Sequence, residues 1–291
     1  MTTMDPALCA AVERCWSPLW LSTVRAPEVG AAFDDLGVEG RARYFATRVA
    51  PLGAVPAPVV VATFFNFSPA AVATAIPQVW ESVMPEQLLA AQRTGVGQAL
   101  ARLLADVDPA AVNEALALLR VAAVAASARP EGRALFSGYA ALAWPDETLV
   151  ALWHAHYLLR EFRGDGHIAV LVAAGLSGLE ALILHIAVMP VLGPIFRPSR
   201  KWTDDEWDAA VDRLRSAGWL TADAEPTLTD AGRRFRADLE HRTDELNVPA
   251  YASIGTAGCE RLLELGVPIR DALLAGRVGL DTLLPPPEPG R

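Results

Sequence analysis

The sequence is poor in several residue types, and each shortage narrows the classes of protein it could form. Among 291 residues Lys201 is the only lysine, and the formal net charge is −9. This negative net charge argues against a general affinity for nucleic acid or for an anionic membrane surface. Aromatic residues make up only 7% of the chain although 52% is hydrophobic, so alanine, valine and leucine carry the excess. That composition favours helices.

Cysteines and familiar catalytic motifs are equally scarce. The three cysteines are an odd number without metal-binding spacing, which is typical of free thiols in a reducing compartment. The N-terminal stretch carries charges where a signal peptide needs an apolar run. There is no P-loop, dinucleotide-binding glycine motif, nucleophile elbow or zincin motif. We therefore expect a cytoplasmic protein without a cofactor or metal site.

Histidines leave one alternative open. His154 and His156 stand two residues apart on a predicted helix, so their side chains diverge and make a poor metal clip. Tertiary packing alone could bring His154, His167 and His185 together, and one of them could then bind a haem iron or another metal.

Unbroken hydrophobic runs of membrane-spanning length are also missing. From Ile168 to Phe196 the chain is very apolar, but Glu180, His185 and two prolines interrupt it. A membrane span needs roughly 20 predominantly apolar residues. This region therefore predicts a buried pair of helices and no membrane contact.

What the sequence does contain is helical patterning along almost its whole length. The proline-rich stretch 51–60 predicts a connection, and Ser68 before Pro69 predicts a helix start. The predicted helices cover 5–17, 27–35, 38–50, 69–83, 86–106, 109–126, 146–162, 167–175, 178–188, 204–217, 230–246 and 256–275. We expect a mainly all-α helical bundle in four parts. These are an N-terminal helical region (1–145), central buried helices (146–200), a winged-helix-like segment (201–250), and a C-terminal helix with a frayed tail (251–291).

The segment 202–246 carries the clearest local signals. Thr203 and Glu206 form a capping box, and Gly218 stands just after the helix end. A short β-hairpin through "WL", "TADAEP" and "TLT" is then predicted to lead to a second helix capped by Thr229. This order, with "LRSAGWL" and "LTDAGRRF", resembles regulators of the multiple-antibiotic-resistance (MarR) type. The resemblance implies a winged helix-turn-helix segment.

In such a segment the helix 204–217 would lie in the major groove of DNA. It carries five acidic residues against two arginines, and residues 201–245 carry twelve acidic against seven basic residues. This is the wrong sign for a surface that faces phosphates. We therefore predict a winged-helix shape for which DNA is not the partner.

The stretch "LLREFRGDGH" (158–167) places four kinds of ionisable side chain inside an apolar region. We expect a helix up to residue 162, a tight "RGDG" turn, and Asp165 near the start of the next helix. On one interpretation Arg160 or Arg163 pairs with the neighbouring acids and only fastens the turn. On the other, these side chains are the polar groups of a small-molecule pocket within an apolar helical cavity.

A second group of polar residues lies upstream. Tyr44 and Arg48 are four residues apart and share a helix face, and Asn66 stands among three phenylalanines. Asn66 and Ser68 could simply organise the next helix. The alternative is that the segment 44–68 forms the other wall of the same pocket.

Our hypothesis is that a small, largely apolar metabolite binds there and is converted by cofactor-free acid/base chemistry, as in an enzyme of secondary metabolism. His167 would transfer the proton, Glu161 or Asp165 would orient it, and Arg163 would hold an anionic group. The other predicted ligand-binding residues are Arg160, His154, Tyr157, Tyr44, Arg48 and Asn66. A ligand-responsive winged-helix transcription regulator is the alternative, and a non-catalytic carrier is a third.

Nearly the whole chain also resembles an actinobacterial family of helix-turn-helix proteins of unknown function. The resemblance rests on "YFATRVAPLGAVPAPVVVATFFNFSP" and on "REFRGDGH", where the family motif is close to R-E-H-R-G-D-G-H. Phe162 replaces the motif's histidine, which puts any activity needing that histidine in doubt. The resemblance implies a fold and supplies no reaction. Relatives of the MarR type pair through terminal helices, so the first and last helices here could form a homodimer.

Overall fold

The computed structural model describes residues 4–276, apart from the side chain of Ser22. Over this range the chain is built from α-helices and four short 3-10 helices, which confirms the predicted all-α class. The α-helices, numbered in chain order, are α1 (Pro6–Arg25), α2 (Pro27–Ala32), α3 (Gly40–Val49), α4 (Ala57–Phe64), α5 (Pro69–Ala73), α6 (Pro85–Leu103), α7 (Pro109–Ala126), α8 (Ala134–Ala140), α9 (Thr148–Ala173), α10 (Gly178–Val188), α11 (Gly193–Arg200), α12 (Asp204–Ser216), α13 (Asp230–Tyr251) and α14 (Gly255–Ala275). The 3-10 helices are Asp34–Leu36, Ala50–Leu52, Gln78–Glu81 and Pro190–Leu192.

Capping side chains start several helices where the sequence predicts it. The Ser68 hydroxyl accepts the Ala71 N–H at 3.1 Å, with Pro69 in the first turn. At α12 the Thr203 N–H donates to Glu206 at 2.9 Å, and the Glu206 N–H donates back to the Thr203 hydroxyl at 3.2 Å. Each cap satisfies N–H groups that have no partner inside the helix.

The predicted "RGDG" turn does not form. Residues 148–173 make one continuous helix, with Gly164 and Gly166 inside it. Two glycines cost a helix about 2 kcal/mol relative to alanine. Apolar side chains buried in the flanking turns, and the contacts that Arg163 and Asp165 make with neighbouring helices, outweigh that cost. Tertiary packing therefore overrides the local preference for a turn.

Helix α4 begins inside the stretch 51–60 that was predicted to be a connection, so only residues 53–56 connect helices there, and α8 and α11 were not predicted. Pro56 caps α4 and Pro58 stands in its first turn, where a proline needs no N–H partner. Prolines that suggest an irregular connection therefore only mark the beginning of a helix here.

The predicted β-hairpin also does not form as two strands. A single antiparallel bridge joins Leu220 to Leu228, and the Thr221 N–H donates to the Thr227 carbonyl at 2.9 Å. Gly218 ends the turn after α12 at a φ of 76°, and Thr229 already caps α13.

Buried side chains form two clusters. The first gathers α1 to α8, the N-terminal part of α9, the end of α13, and α14. The second gathers the C-terminal end of α9, α10, α12, Leu220, Leu228 and the first half of α13. Helices α9 and α13 thus contribute to both clusters and join them. The domain boundaries stay a prediction, and residues 277–291 of the predicted C-terminal part lie outside the described residues.

Helices α1 and α14, predicted to pair two copies, pack against each other within one chain. A homodimer stays a prediction.

By length and composition, α7 is the one helix in the described part of the chain that could cross a membrane. The bent pairs Gly40–Leu52 with Ala57–Phe64 and Thr148–Ala173 with Gly178–Val188 would raise that number to three if each were one span. Helix α7 packs against α9, α13 and α14 on one side. The absence of membrane contact stays a prediction.

Candidate functional site

A buried ion pair joins the two stretches that the sequence analysis singled out. Arg48 on α3 donates to both carboxylate oxygens of Glu161 on α9, at 3.0 and 3.2 Å. The neighbouring Arg160 donates to the same carboxylate. Glu161 is only 3% exposed, so this carboxylate sits inside the protein with two guanidinium groups around it. Of the predicted residues, Arg48, Arg160 and Glu161 are therefore brought together.

The spacing on α3 places Tyr44 beside Arg48, as predicted. Arg48 donates a hydrogen bond to the Tyr44 hydroxyl at 3.0 Å. The Tyr44 ring in turn lies 6.0 Å from the Phe64 ring and 5.8 Å from the Phe67 ring, measured between centroids. The segment 44–67 thus supplies both the cation Arg48 and the aromatic rings that surround it.

Aromatic faces surround the two guanidinium groups. Arg160 lies 3.7 Å from the centroid of the Trp20 ring, and Arg48 lies 4.5 Å from that of Phe64. A guanidinium is weakly hydrated and stacks well on aromatic rings, which reduces the cost of holding it away from water.

A third arginine adds positive charge to the same place. Arg200, at the end of α11, lies 4.2 Å from the Phe67 ring, and its charge acts on Tyr44 and Arg48. Burial alone would raise the pKa of Tyr44, but Arg48, Arg200 and Arg160 outweigh it and lower that pKa. Burial likewise opposes ionisation of Glu161, yet Arg48 and Arg160 lower its pKa below the ordinary value. Two guanidinium groups thus contact the Glu161 carboxylate, and the third, Arg200, adds its charge beside Tyr44 and Arg48.

Three buried N–H groups in this cluster have no hydrogen-bond partner within the described residues. They are Trp20 Nε1, Arg48 Nε and Arg200 Nε. Leaving a buried donor unpaired costs about 1–3 kcal/mol, so such groups are rare unless something else pairs with them. We call Trp20, Tyr44, Arg48, Arg160, Glu161 and Arg200 the arginine cluster. Its charge and its free donors suit an anion.

The remaining charged residues of "REFRGDGH" point elsewhere. Arg163 donates to Glu240 at 2.7 Å and to Asp244 at 2.8 Å, both on α13. Asp165 accepts the Phe136 N–H at 3.0 Å, near the start of α8. Burial raises the pKa of Asp165 to about 6, against the opposing effect of this hydrogen bond. These two side chains fasten α9 to α13 and to α8.

His167 also faces α13. Its Nδ1 lies 2.8 Å from the Thr243 hydroxyl, which donates its own proton to the Leu239 carbonyl at 2.7 Å. His167 must therefore be the donor to Thr243, which assigns the proton to Nδ1. Burial lowers the pKa of His167 to about 4. His167, Glu161 and Asp165 thus have three different sets of neighbours, and the structure does not bring the proposed acid/base residues to one centre.

The other predicted ligand-binding residues take separate positions. His154 is 1% exposed, packs edge-on against Trp144, and has a pKa lowered to about 4 by burial. Tyr157 is buried beside Arg48 and lies 3.2 Å from the Tyr139 hydroxyl. The Asn66 amide oxygen is buried without a partner in the part of the chain that the structure describes. Within residues 4–276 no three His, Cys, Asp or Glu side chains form a metal-binding group.

Sequence reasoning missed Trp20 and Arg200, which complete the arginine cluster. Trp20 is one of two tryptophans on an apolar helix, and Arg200 lies in the helix α11 that was not predicted. Neither residue stands in a motif. Only the packing of α1 and α11 near α3 and α9 makes them part of the site.

The surface of the winged-helix-like segment is the electrostatic opposite. Exposed acidic residues cover α12, and the two arginines there are already engaged. Arg213 pairs with Glu180 at 2.7 Å, and Arg215 donates to the carbonyls of Thr221 and Asp223 at 3.1 and 2.6 Å.

The sequence profile described as "Helix-turn-helix family" matches residues 10–279. The chain belongs to this helix-turn-helix family. No curated protein and no solved structure matches the chain.

In this member of the helix-turn-helix family, residues 65–68 connect the arginine cluster to the second buried cluster. Phe65 has a φ of 54° and a ψ of −54°, the strained conformation of a γ-turn. Trp202 donates to the Asn66 carbonyl at 3.0 Å, and the Ser68 hydroxyl donates to the Lys201 carbonyl at 2.9 Å. A strained turn persists only when its surroundings hold it, so this segment is fixed between the two regions.

Proposed function

We propose that this protein is a ligand-responsive regulator of the helix-turn-helix family. Its ligand is a small molecule with an anionic group and a planar apolar body. The arginine cluster is the binding site, and the winged-helix-like segment is the region that responds. We propose a cytoplasmic location, in keeping with such a regulator.

A half-buried excess of positive charge carries this proposal. Arg48 and Arg160 share the single carboxylate of Glu161, whereas Arg200 has no carboxylate partner within the described residues. A carboxylate or phosphate group would neutralise this excess and pair with the free N–H donors. The rings of Trp20 and Phe64 would contact the planar part of the ligand.

The segment 65–68 provides the physical route for a response. It carries Phe67 against Arg200 on one side, and its backbone bonds to residues 200–202 on the other. A ligand that moves Arg200 therefore acts on the connection that leads directly into α12. Such coupling requires that the ligand bind two arrangements of this connection with different affinity.

The same proposal excludes α12 as a reader of DNA. Residues 201–245 keep their excess of five negative charges, and the arginines of α12 are engaged within the protein. Phosphate contacts supply most of the affinity of a protein for DNA, so this surface is repelled by a duplex.

Calorimetric titration with benzoate and phenyl phosphate tests the site, with benzamide as the neutral probe. We expect both anions to bind and benzamide to bind at least about tenfold more weakly, because charged hydrogen bonds contribute about 1.5–3 kcal/mol. Arg160→Met should weaken anion binding by about 10- to 100-fold. The protein should still fold, since Arg48 keeps Glu161 paired.

Arg120→Met is the matched control, because Arg120 also stacks on a tryptophan, 4.5 Å from the Trp144 ring, but outside the cluster. It should leave anion binding unchanged. Absence of binding by both anions, equal binding of benzamide, or equal losses in the two variants would contradict the proposal.

A further inference from the structure

A groove of about 950 Å³ lies between residues 186–198 and the winged-helix-like segment, apart from the arginine cluster. Its walls come from α10, α11, α12 and the connection 219–229, and it is open to solvent along one side. Apolar side chains form much of its floor, among them Trp207, Val211, Pro194 and Pro226. Val191, beside the groove residue Pro190, is 61% exposed. Trp207 and Val211 are themselves buried, so the apolar surface that is left uncovered within residues 4–276 comes mainly from prolines such as Pro194 and Pro226.

The groove has a negative charge that its own arginines do not neutralise. Asp208 and Glu225 line it, both are exposed, and neither forms an ion pair or side-chain hydrogen bond in the described part of the chain. Arg197 also lines it but pairs with Asp204 at 2.9 Å. Arg215 is held by Asp212 and by two backbone carbonyls. The groove thus presents free carboxylates around an apolar floor.

The protein already holds one guanidinium in this groove. Arg197 lies 4.7 Å from the centroid of the Trp207 ring while it pairs with Asp204. An arginine stacked on an aromatic face and paired with a carboxylate is a favourable arrangement. Asp208, one residue after Trp207, could bind a second guanidinium in a similar way.

We propose that this groove docks a basic and partly apolar segment of a partner protein. Charge complementarity selects the occupant, since free carboxylates attract arginine or lysine and the apolar floor accepts the side chains between them. The volume lies near the upper end for small-molecule pockets, and the open side suits an extended peptide. The surface that a winged helix would present to DNA is here a protein-binding surface.

Fluorescence anisotropy of a labelled synthetic peptide of alternating arginine and leucine tests the groove. We expect the Asp208→Arg/Glu225→Arg variant to bind it at least about tenfold more weakly, because like charges at an interface are costly. The control Asp35→Arg/Asp106→Arg makes the same change in net charge at exposed positions outside the groove. It should alter affinity by less than about twofold, since salt screens distant exposed charges.

Two further peptides distinguish binding in the groove from nonspecific electrostatic attraction to an acidic protein. A peptide of alternating arginine and serine should bind about tenfold more weakly than the arginine–leucine peptide, because it cannot use the apolar floor. A glutamate–leucine peptide should not bind. Equal binding of the serine peptide, equal losses in both double variants, or binding of a labelled DNA duplex by the protein at 0.15 M salt in the absence of peptide would overturn the proposal.

This inference is independent of the anion site. Arg160→Met should leave peptide affinity unchanged, and Asp208→Arg/Glu225→Arg should leave the binding of benzoate unchanged. Failure of one proposal can therefore be told from failure of the other.

Discussion

The arginine cluster and the surface of α12 carry charge in opposite ways. In the cluster, half-buried guanidinium groups lie against aromatic rings, and the buried Glu161 compensates them only in part. On α12, carboxylates stand in solvent, and the few arginines are tied to nearby oxygens. The first arrangement depends on how helices that are distant in the chain pack together, whereas the second follows from the sequence of a single helix.

This difference in burial decides how strongly each charge interacts with its neighbours. Two charges close together interact several times more strongly in the protein interior than in water, and salt screens only the exposed ones. A buried charge therefore has a specific partner or ligand, while an exposed cluster shapes only which partners approach. This contrast is why we place a small anion in the cluster and a basic segment against α12.

The largest effect on stability is expected when the ion pair of Arg48 with Glu161 is broken. Arg48→Met removes the bidentate partner of Glu161 and leaves that carboxylate buried with Arg160 alone. We expect a loss of about 3–5 kcal/mol in the free energy of unfolding, measured by urea denaturation.

The control for this variant is Arg242→Met on α13, which breaks a pair with Asp238 whose side chains are 45% and 59% exposed. An exposed pair contributes about 0–1 kcal/mol, so this variant should be almost neutral. Similar losses in the two variants would remove the distinction between buried and exposed charge.

A smaller effect is expected from the buried His154. Burial holds its pKa near 4, below the ordinary 6.5, so the unfolded chain takes up this proton first as the pH falls. The stability that the neutral imidazole contributes is present above pH 6.5 and is lost as the pH falls towards 4. His154→Leu should reduce the decrease in unfolding free energy over this range by about 3 kcal/mol.

His241→Leu is the matched control, because His241 is 63% exposed on α13. This exposed substitution should change the free energy of unfolding at pH 7 by less than about 0.5 kcal/mol, which controls for the replacement of an imidazole by a leucine side chain. An unchanged profile in His154→Leu would show that the buried imidazole does not titrate as its burial requires.

The smallest effect on stability is expected when the helix cap at the start of α12 is removed. Thr203→Ala removes the hydroxyl that accepts the Glu206 N–H at the start of α12. The expected loss is about 1 kcal/mol, because only one cap is affected. Hydrogen exchange should show faster opening confined to the first turn of α12, and protection lost equally in α3 would contradict a local role.

Much of the fold could be predicted because its signals lie within a few residues of one another. Caps such as Ser68 and the Thr203–Glu206 box, and the shared face of Tyr44 and Arg48, depend only on helical geometry. The errors arose where distant contacts compete with local preference. Gly164 and Gly166 suggest a turn, but packing of α9 against both buried clusters keeps the helix continuous.

In the candidate site, too, some features follow from local sequence and others only from tertiary packing. The sequence determined that charged side chains of "REFRGDGH" and of 44–48 stand on apolar helices, and that α12 is acidic, because composition and periodicity state both directly. Only the tertiary structure decided that Glu161 meets Arg48 while Arg163, Asp165 and His167 fasten neighbouring helices. The physical reason is that side-chain direction along a helix follows from sequence spacing, whereas the partner it meets depends on how helices far apart in the chain pack to bury their apolar faces.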